Sequence, residues 1–287
     1  MKKLFIPILI TIVSVVTIST FTSCDKIETP VVKTDDTDDD DTTQTEVVVR
    51  RILMEEYTGH YCSNCPAGAT EMQRLVGVYG SQVIPISLHA GNTTFNEPHT
   101  GSGSYETDFR TTDGNAYATL FQPFGLPSGM VSRKNAGAAI AFSQWEAEII
   151  SIKDDEPIAE ITIINTYDAA NREVSIDVET EWLLDGGAGN SYKLQVYIIE
   201  DHITDWQLDG STNVSDYDHR HVFRGAVNTT WGEAVSTTSL GSKDNKTYTY
   251  TLDAGWNADN CEIVAFIYKE APNYEVMQAN IEHVKDH

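Results

Sequence analysis

The chain has 287 residues, 40% of them hydrophobic, enough for two domains of ordinary size once the N-terminal segments are set aside. Its 19 basic side chains stand against 43 acidic ones, a formal charge of −24. Such an excess of acid argues against nucleic acid and anionic lipid surfaces as partners, since phosphate binding needs Lys and Arg in clusters, and it favours cationic or neutral partners.

Met1-Lys2-Lys3 and the apolar run from Leu4 to Phe21 read as a secretory signal over residues 1–23, a short positive region ahead of an apolar core. The protein is therefore expected to leave the cytoplasm. Phe21-Thr22-Ser23-Cys24 is close to a lipobox, in which small residues precede a cysteine that becomes lipid-modified and N-terminal. Cys24 is the expected membrane anchor, with a plain cleaved signal or an uncleaved anchor as the other readings. Loss of residues 1–23 removes Lys2 and Lys3 and no acid, so the charge moves from −24 to −26. Residues 24–46 are expected to form a lipidated, disordered stalk: from Asp25 to Glu46 the chain is polar and acidic, cannot bury a core, and reaches at most ~75 Å at ~3.4 Å per residue. Within it, Asp41-Thr42-Thr43 resembles the O-glycosylation motif of Bacteroidota-type bacteria, which makes Thr42 a candidate acceptor.

Residues 47–54 read as a first strand, followed by a turn at Thr58-Gly59 and then Cys62-Ser63-Asn64-Cys65-Pro66 opening a helix over 67–79, with Met72, Leu75, Val76 and Tyr79 at helical spacing. Pro66 suits the first helical turn, having no N–H to lose and a φ already helical. A thiol at that place lies against unsatisfied N–H groups and the positive end of the helix dipole, which favour a thiolate and make Cys62 a nucleophile with Cys65 in reach. A structural staple is the alternative. Closing a loop of about four residues yields only ~2 kcal/mol, against ~3 kcal/mol for about fifteen, so a stabilising bridge is better spaced further apart. A C-x-x-C at a strand-to-helix junction points to redox chemistry instead. Zinc would need a second ligand pair, and no other C-x-x-C exists, so no metal is expected.

Val83 to Leu88 reads as the next strand, and residues 89–115 as a polar, Gly-rich insertion long enough to overhang the cysteines and shape what enters. Residues 144–152 suit a closing helix with Trp145, Ile149 and Ile152 inward. An α/β domain over 47–153 is the result.

Residues 48–135 look like a thioredoxin-like domain. The stretch Glu55-Glu56-Tyr57-Thr58-Gly59-His60-Tyr61-Cys62-Ser63-Asn64-Cys65-Pro66 resembles the signature of the twenty-eight-kilodalton outer-membrane-protein family, lipoproteins of Bacteroidota-type bacteria. The resemblance implies an outer-membrane lipoprotein whose only redox group is a Cys62–Cys65 disulfide, with no further cofactor, Cys62 as the attacking thiol and Cys65 as the resolving one. Glu56 matches the buried acid that thioredoxins use for proton transfer, and Tyr61 stands where they carry a Trp beside the substrate. Phe124-Gly125-Leu126-Pro127-Ser128-Gly129-Met130-Val131 resembles the segment holding their cis proline. It implies that Pro127 is cis and that the Leu126 backbone offers strand-like hydrogen bonds to a peptide, an ordinary turn proline being the alternative.

From Pro157 the period changes to 2. Val174-Ile176-Val178 alternates with Ser175-Asp177-Glu179, and Tyr248-Tyr250-Leu252 with Thr247-Thr249-Thr251. Strands predicted around 158–166, 172–184, 191–201, 218–228, 246–253, 262–269 and 274–282 make residues 157–287 an all-β antiparallel sandwich, an Ig-like domain following the α/β one. Cys261, ahead of an apolar strand, is expected to be a buried, inert thiol. His60 either stabilises the Cys62 thiolate when protonated or points to solvent. His219 and His221 fall on one face of a strand, which suits a metal site less well than cross-strand packing or a domain interface. Trp182, Trp206, Trp231 and Trp256 suit core packing, or a carbohydrate-binding face.

Two functions are compatible with this reading. One is thiol–disulfide exchange on the thiols and disulfides of exported proteins. The other is a surface receptor or adhesin whose thioredoxin-like domain is a scaffold and whose β-sandwich binds an extracellular ligand. Binding that survives Cys62→Ser with Cys65→Ser would separate the second from the first.

Overall fold

The computed structural model describes residues 48–91, 93–100 and 103–285. The expected signal segment, Cys24, the acidic stalk and Thr42 lie outside the described residues. Strand β1 (Ile52–Thr58) is buried at every position. A strand covered on both faces reads as an unbroken apolar run, and β1 departs from that at Glu55, Glu56 and Thr58. It starts later than its apolar approach suggests and continues to Thr58, because its ladder to β2 (Val83–His89) runs in parallel from Ile52↔Val83 to Thr58↔His89. Between them lies helix α1 (Cys65–Tyr79), with Pro66 in its first turn and Met72 and Leu75 on its buried face. It stops at Gly80, whose φ of +57° is a left-handed conformation that a glycine adopts without steric cost.

The 89–115 insertion holds two short strands, β3 (His99–Thr100) and β4 (Ser104–Tyr105), and leads into helix α2 (Thr112–Phe121). Thr111 caps α2, its Oγ1 accepting a hydrogen bond from the Gly114 N–H at 2.9 Å. Next come β5 (Ser128–Val131), the short turn α3 (Lys134–Gly137), β6 (Ile140–Ala141) and helix α4 (Trp145–Ile150), where Trp145 and Ile149 are buried.

The remaining strands are β7 (Ala159–Asp168), β8 (Glu173–Trp182), β9 (Tyr192–Glu200), β10 (Ile203–Asp209), β11 (Thr212–His219), β12 (Val222–Ala226), β13 (Glu233–Ala234), β14 (Lys243–Thr251), β15 (Cys261–Lys269) and β16 (Val276–His283). In β7, β8 and β14 more and less buried positions alternate, as half-covered strands require. β9 and β15 are buried at nearly every position.

One large sheet runs β16-β15-β9-β12-β2-β1-β5-β6, with β13 pairing β9. It draws strands from both sides of the expected domain boundary, and Glu46–His287 forms one compact unit. The reading of 47–153 and 157–287 as separate bodies is corrected accordingly. The join is made where β12 lies parallel to β2 through Val222↔Ser87 and antiparallel to β9 from Val222↔Glu200. A free-standing sandwich would keep both of its sheets to itself; here the second is the extension of the first half's sheet. The three-stranded sheet β14-β8-β7 covers that extension, with Val174, Ile176, Val178 and Trp182 meeting Val196, Ile198, Ile263 and Ala265 in one core. Leu53, Ile86, Tyr117, Tyr197 and Phe266 form a second core, against α2, and Ile52, Met54, Met72, Leu75 and Trp145 a third, under α1 and α4. Each such side chain contributes roughly 1.5–3 kcal/mol by leaving water. All three cores share the large sheet, so the halves stabilise one another.

Candidate functional site

Side chains alternate along β1, so Glu55 and Glu56 point to opposite faces of the sheet. Glu55 turns towards the α2 side and meets Arg133, which donates from Nε to Glu55 Oε2 at 2.7 Å and from Nη2 to Oε1 at 2.7 Å. The same guanidinium donates to the Tyr197 hydroxyl at 2.8 Å and sits 5.1 Å from the ring centroids of Phe121 and Phe266. Arg133 and Glu55 are both only 1% exposed, so this charge pair is dry and bidentate.

Glu56 turns towards α1. It is also 1% exposed, but its Oε1 has no protein partner. Burial alone pushes its carboxyl up to about 8. Two neighbouring carboxyls of one strand are thus treated oppositely, one given a cation and one denied any.

Above Glu56 lie the cysteines. Cys62 and Cys65 form a disulfide, with Cα atoms 5.4 Å apart, and they are only 4% and 2% exposed. Their turn is closed by the Cys62 N–H donating to Gly59 O at 3.1 Å and the Cys65 N–H to Cys62 O at 3.1 Å. The Leu126–Pro127 peptide bond is cis. Gly68 of α1 brings the parts together: a Cβ placed there would lie 2.4 Å from Glu56 Oε1 and 2.7 Å from Pro127 Cβ. Gly68→Ala is therefore expected to cost ~1–3 kcal/mol through overpacking, outweighing the ~1 kcal/mol that alanine otherwise gains over glycine inside a helix. Urea unfolding of the two proteins checks this, and an unchanged or raised midpoint would show that the helix stands further off.

Two parts of the chain enclose the cysteine turn. From the insertion, Phe95 O accepts the Tyr61 N–H at 2.9 Å, and the rings of His99 and Tyr105 lie 3.8 and 4.9 Å from that of Tyr61. From the second half, the β10–β11 hairpin supplies the Leu208 N–H to His60 O at 2.8 Å and the Gly210 N–H to Ser63 O at 2.9 Å. Its Gln207 side-chain amide donates to Cys62 O at 3.2 Å. The enclosing parts also hold each other, the Tyr105 hydroxyl donating to Asn213 Oδ1 at 2.6 Å. The sequence reading leaves residues 202–217 unassigned. The signal is nonetheless present: Asp209-Gly210-Ser211 sits between two extended runs, with Gly210 at φ +57°.

His60 is buried beneath this cover, its Nε2 donating to Glu97 O at 3.2 Å. Desolvation, with His99 close by, lowers its pKa, so it is kept neutral and does not act as a cation beside Cys62. His89 is held well below the usual imidazole range by burial, and His219 is pushed down to about 4 by the same cause. His219 and His221 both line the cavity behind Cys65, although His221 stands at φ +53° between β11 and β12 and not on a shared strand face. Among the described residues, no group of three or more His, Cys, Asp and Glu is placed to hold a metal ion. Cys261 is buried and free, with burial and the nearby Glu200 pushing its thiol up to about 12. Trp182 is fully buried, and Arg224 lies 5.2 Å over the ring of Trp256.

The family model of the outer membrane protein Omp28 matches residues 114–286, more than half of the chain. This chain belongs to the Omp28 family. It is accordingly an outer-membrane lipoprotein. The part matched includes α2 from Gly114 onward, Pro127 and the β10–β11 hairpin but not the cysteine turn. Among solved structures, HBP35 of Porphyromonas gingivalis shares the fold, with a TM-score of 0.65 and 17% identity over 83% of this chain and 76% of that one. A domain of the outer membrane lipoprotein Omp28 from Porphyromonas gingivalis is 29% identical, covering 44% of this chain and 89% of its own, with a TM-score of 0.29. A comparison with curated proteins finds none that matches.

Proposed function

We propose that this Omp28-family lipoprotein carries out thiol–disulfide exchange on exported proteins, through a thioredoxin-like site. The observation that carries the reading is Glu56, an unpaired carboxyl buried beneath the helix that bears Cys65 and touching the same glycine as Pro127. A merely structural disulfide has no use for such a group, which lowers stability. The strand order supports the reading too: the strand entering the cysteine turn runs parallel to β2 and antiparallel to β5, the strand after Pro127.

In the reducing direction, the Cys62 thiolate attacks one sulfur of a target disulfide. That bond breaks, a mixed disulfide forms, and the departing target thiolate takes a proton from water. Ionised Glu56 takes the proton of the Cys65 thiol, and the Cys65 thiolate attacks Cys62 Sγ. The Cys62–Cys65 bond forms, the second target thiolate leaves, and two electrons have passed to the target. Oxidation of a target dithiol is the same sequence reversed. The Leu126 backbone and the Tyr61 ring hold the target strand beside Cys62.

The test is the reduction potential of the full chain in detergent, with Cys65→Ala used to trap adducts from envelope extracts. Exchange predicts a potential between about −120 and −270 mV and mixed disulfides through Cys62. A potential below about −300 mV with no adduct would make the bridge structural and return attention to ligands of the β-rich half.

A further inference from the structure

Behind Cys65 lies a cavity of about 300 Å³ that the exchange mechanism leaves unused. Its floor is Glu56, Ser87 and His89, which the β1–β2 register places on one face, since Glu56 pairs with Ser87 and Thr58 with His89. Its far wall comes from the other half of the chain, with Tyr217, His219 and His221. Among the described residues, four of the eleven buried side-chain polar atoms without a protein partner lie on this one lining: Glu56 Oε1, both ring nitrogens of His89, and Nδ1 of His221. A buried polar atom left unpaired costs about 1–3 kcal/mol, and a polar cavity of this size has room for several waters to satisfy them. We propose that this cavity is a water-filled proton path between Glu56 and solvent, with His89 as its relay residue and His221 at its mouth.

The chemistry of the lining supports a path better than a binding site for a charged ligand. His89 faces His219 and His60, with Arg224 nearby, and all three lower its pKa further after burial. It stays neutral, so one ring nitrogen takes a proton as the other gives one up and no charge is stored. Glu56 faces Tyr217, whose hydroxyl burial holds protonated, so nothing there traps a proton. At the mouth, His221 Nε2 accepts from the Gln73 amide at 3.1 Å, which leaves its proton on Nδ1, 4.0 Å from Asp201 Oδ1. Asp218, Arg220 and the ring of His202 complete the polar surroundings of that ring. Proton transfer through the site needs such a path, because α1 and Pro127 close Glu56 from the other side.

The proposal rests on the exchange reading for its purpose, but its test does not. In the oxidised full chain in detergent, the infrared carboxyl band of Glu56 is followed after a pH jump from 7 to 9, where no thiol takes part. His89→Gln keeps the size and polarity of the side chain but cannot relay. Ala69→Leu fills the cavity from α1 without touching a polar group, and serves if His89→Gln fails to fold. Each is expected to slow the loss of the Glu56 band at least tenfold, with free imidazole restoring the His89→Gln rate. Rates within twofold of the parent in the folded variants would overturn the path, as would an organic molecule found filling the cavity by native mass spectrometry. Dithiothreitol reduction of the parent then reports separately on exchange. A slowed proton with no reduction at any pH would sustain the path and remove the exchange reading. Ready reduction with an unslowed proton would do the reverse.

Discussion

Glu56→Gln is expected to stabilise the folded protein by roughly 5 kcal/mol more at pH 9 than at pH 4 while slowing exchange at least tenfold. Burial moves the carboxyl from 4.5 to about 8, and each pH unit of displacement is about 1.4 kcal/mol between the two protonation states. The unfolded chain releases this proton near pH 4.5 and the folded chain near 8. Between those values the folded state therefore holds the extra proton, and stability falls as pH rises through the window. Glutamine neither titrates nor changes the volume, so the slope disappears. The buried histidines act with the opposite sign. His219, pushed down to about 4, must bind a proton on unfolding, so its contribution is lost as pH falls from 6.5 towards 4. Both proteins share that loss, and the difference between them isolates Glu56. Urea midpoints at pH 4, 6 and 9 supply the measurement. A gap between the two proteins that stays constant with pH would mean that Glu56 keeps its unfolded pKa in the folded state and is too weak a base for the Cys65 thiol, and the proton step would have to be reassigned. The kinetic half of the prediction follows from the usual contribution of a positioned acid or base, about 10²–10⁴-fold.

Arg133→Met is expected to cost about 3–5 kcal/mol, because it leaves the Glu55 carboxyl buried, 1% exposed, without its cation. The guanidinium also forfeits its place among Tyr117, Phe121, Phe266 and Tyr268, between 5.1 and 5.6 Å from their centroids. Removing both charges by Glu55→Gln with Arg133→Met should restore much of that loss, since a neutral amide needs no counterion and the single variant suffers mainly from a carboxylate stripped of water and left unpaired. Guanidinium denaturation of the four proteins of this cycle gives the coupling energy directly, and losses that simply add would show the pair to be no more than packing. Exchange should fall in the single variant as well. Glu55 pairs with Met130 and Glu56 with Gly129 across β1 and β5, so a disturbance of the Glu55 register carries to the strand that follows Pro127. Arg133 itself sits at φ +50°, in a run with Ser132, Asn135 and Ala136 that non-glycine residues rarely adopt. The ion pair and its aromatic surround are what hold that turn in place.

What the amino-acid sequence determined by itself is local. The thiols Cys62 and Cys65 stand where an apolar run meets a proline-started helix, and α1 begins at Cys65. The alternation of Val174, Ile176 and Val178 with polar neighbours is a property of one strand, and β8 follows it. Both depend on residues within a few positions of one another, so period and capping are enough to read them. Even the β10–β11 hairpin left its mark at Asp209-Gly210, a turn signal of the same short range. Only the tertiary structure decided which strands lie side by side. Nothing near Val222 or Ser87 in the chain says that β12 will extend the sheet of β2, because strand pairing is settled by the burial that every competing edge can offer at once. The state of the site was decided in the same way. Glu55 and Glu56 are adjacent and chemically identical, yet one is paired and one is not, because Arg133 arrives on one face of the sheet alone. His60 and His89 would be ordinary histidines in water; they are neutral because the insertion and the β10–β11 hairpin close over them, and desolvation is a property of what surrounds a group.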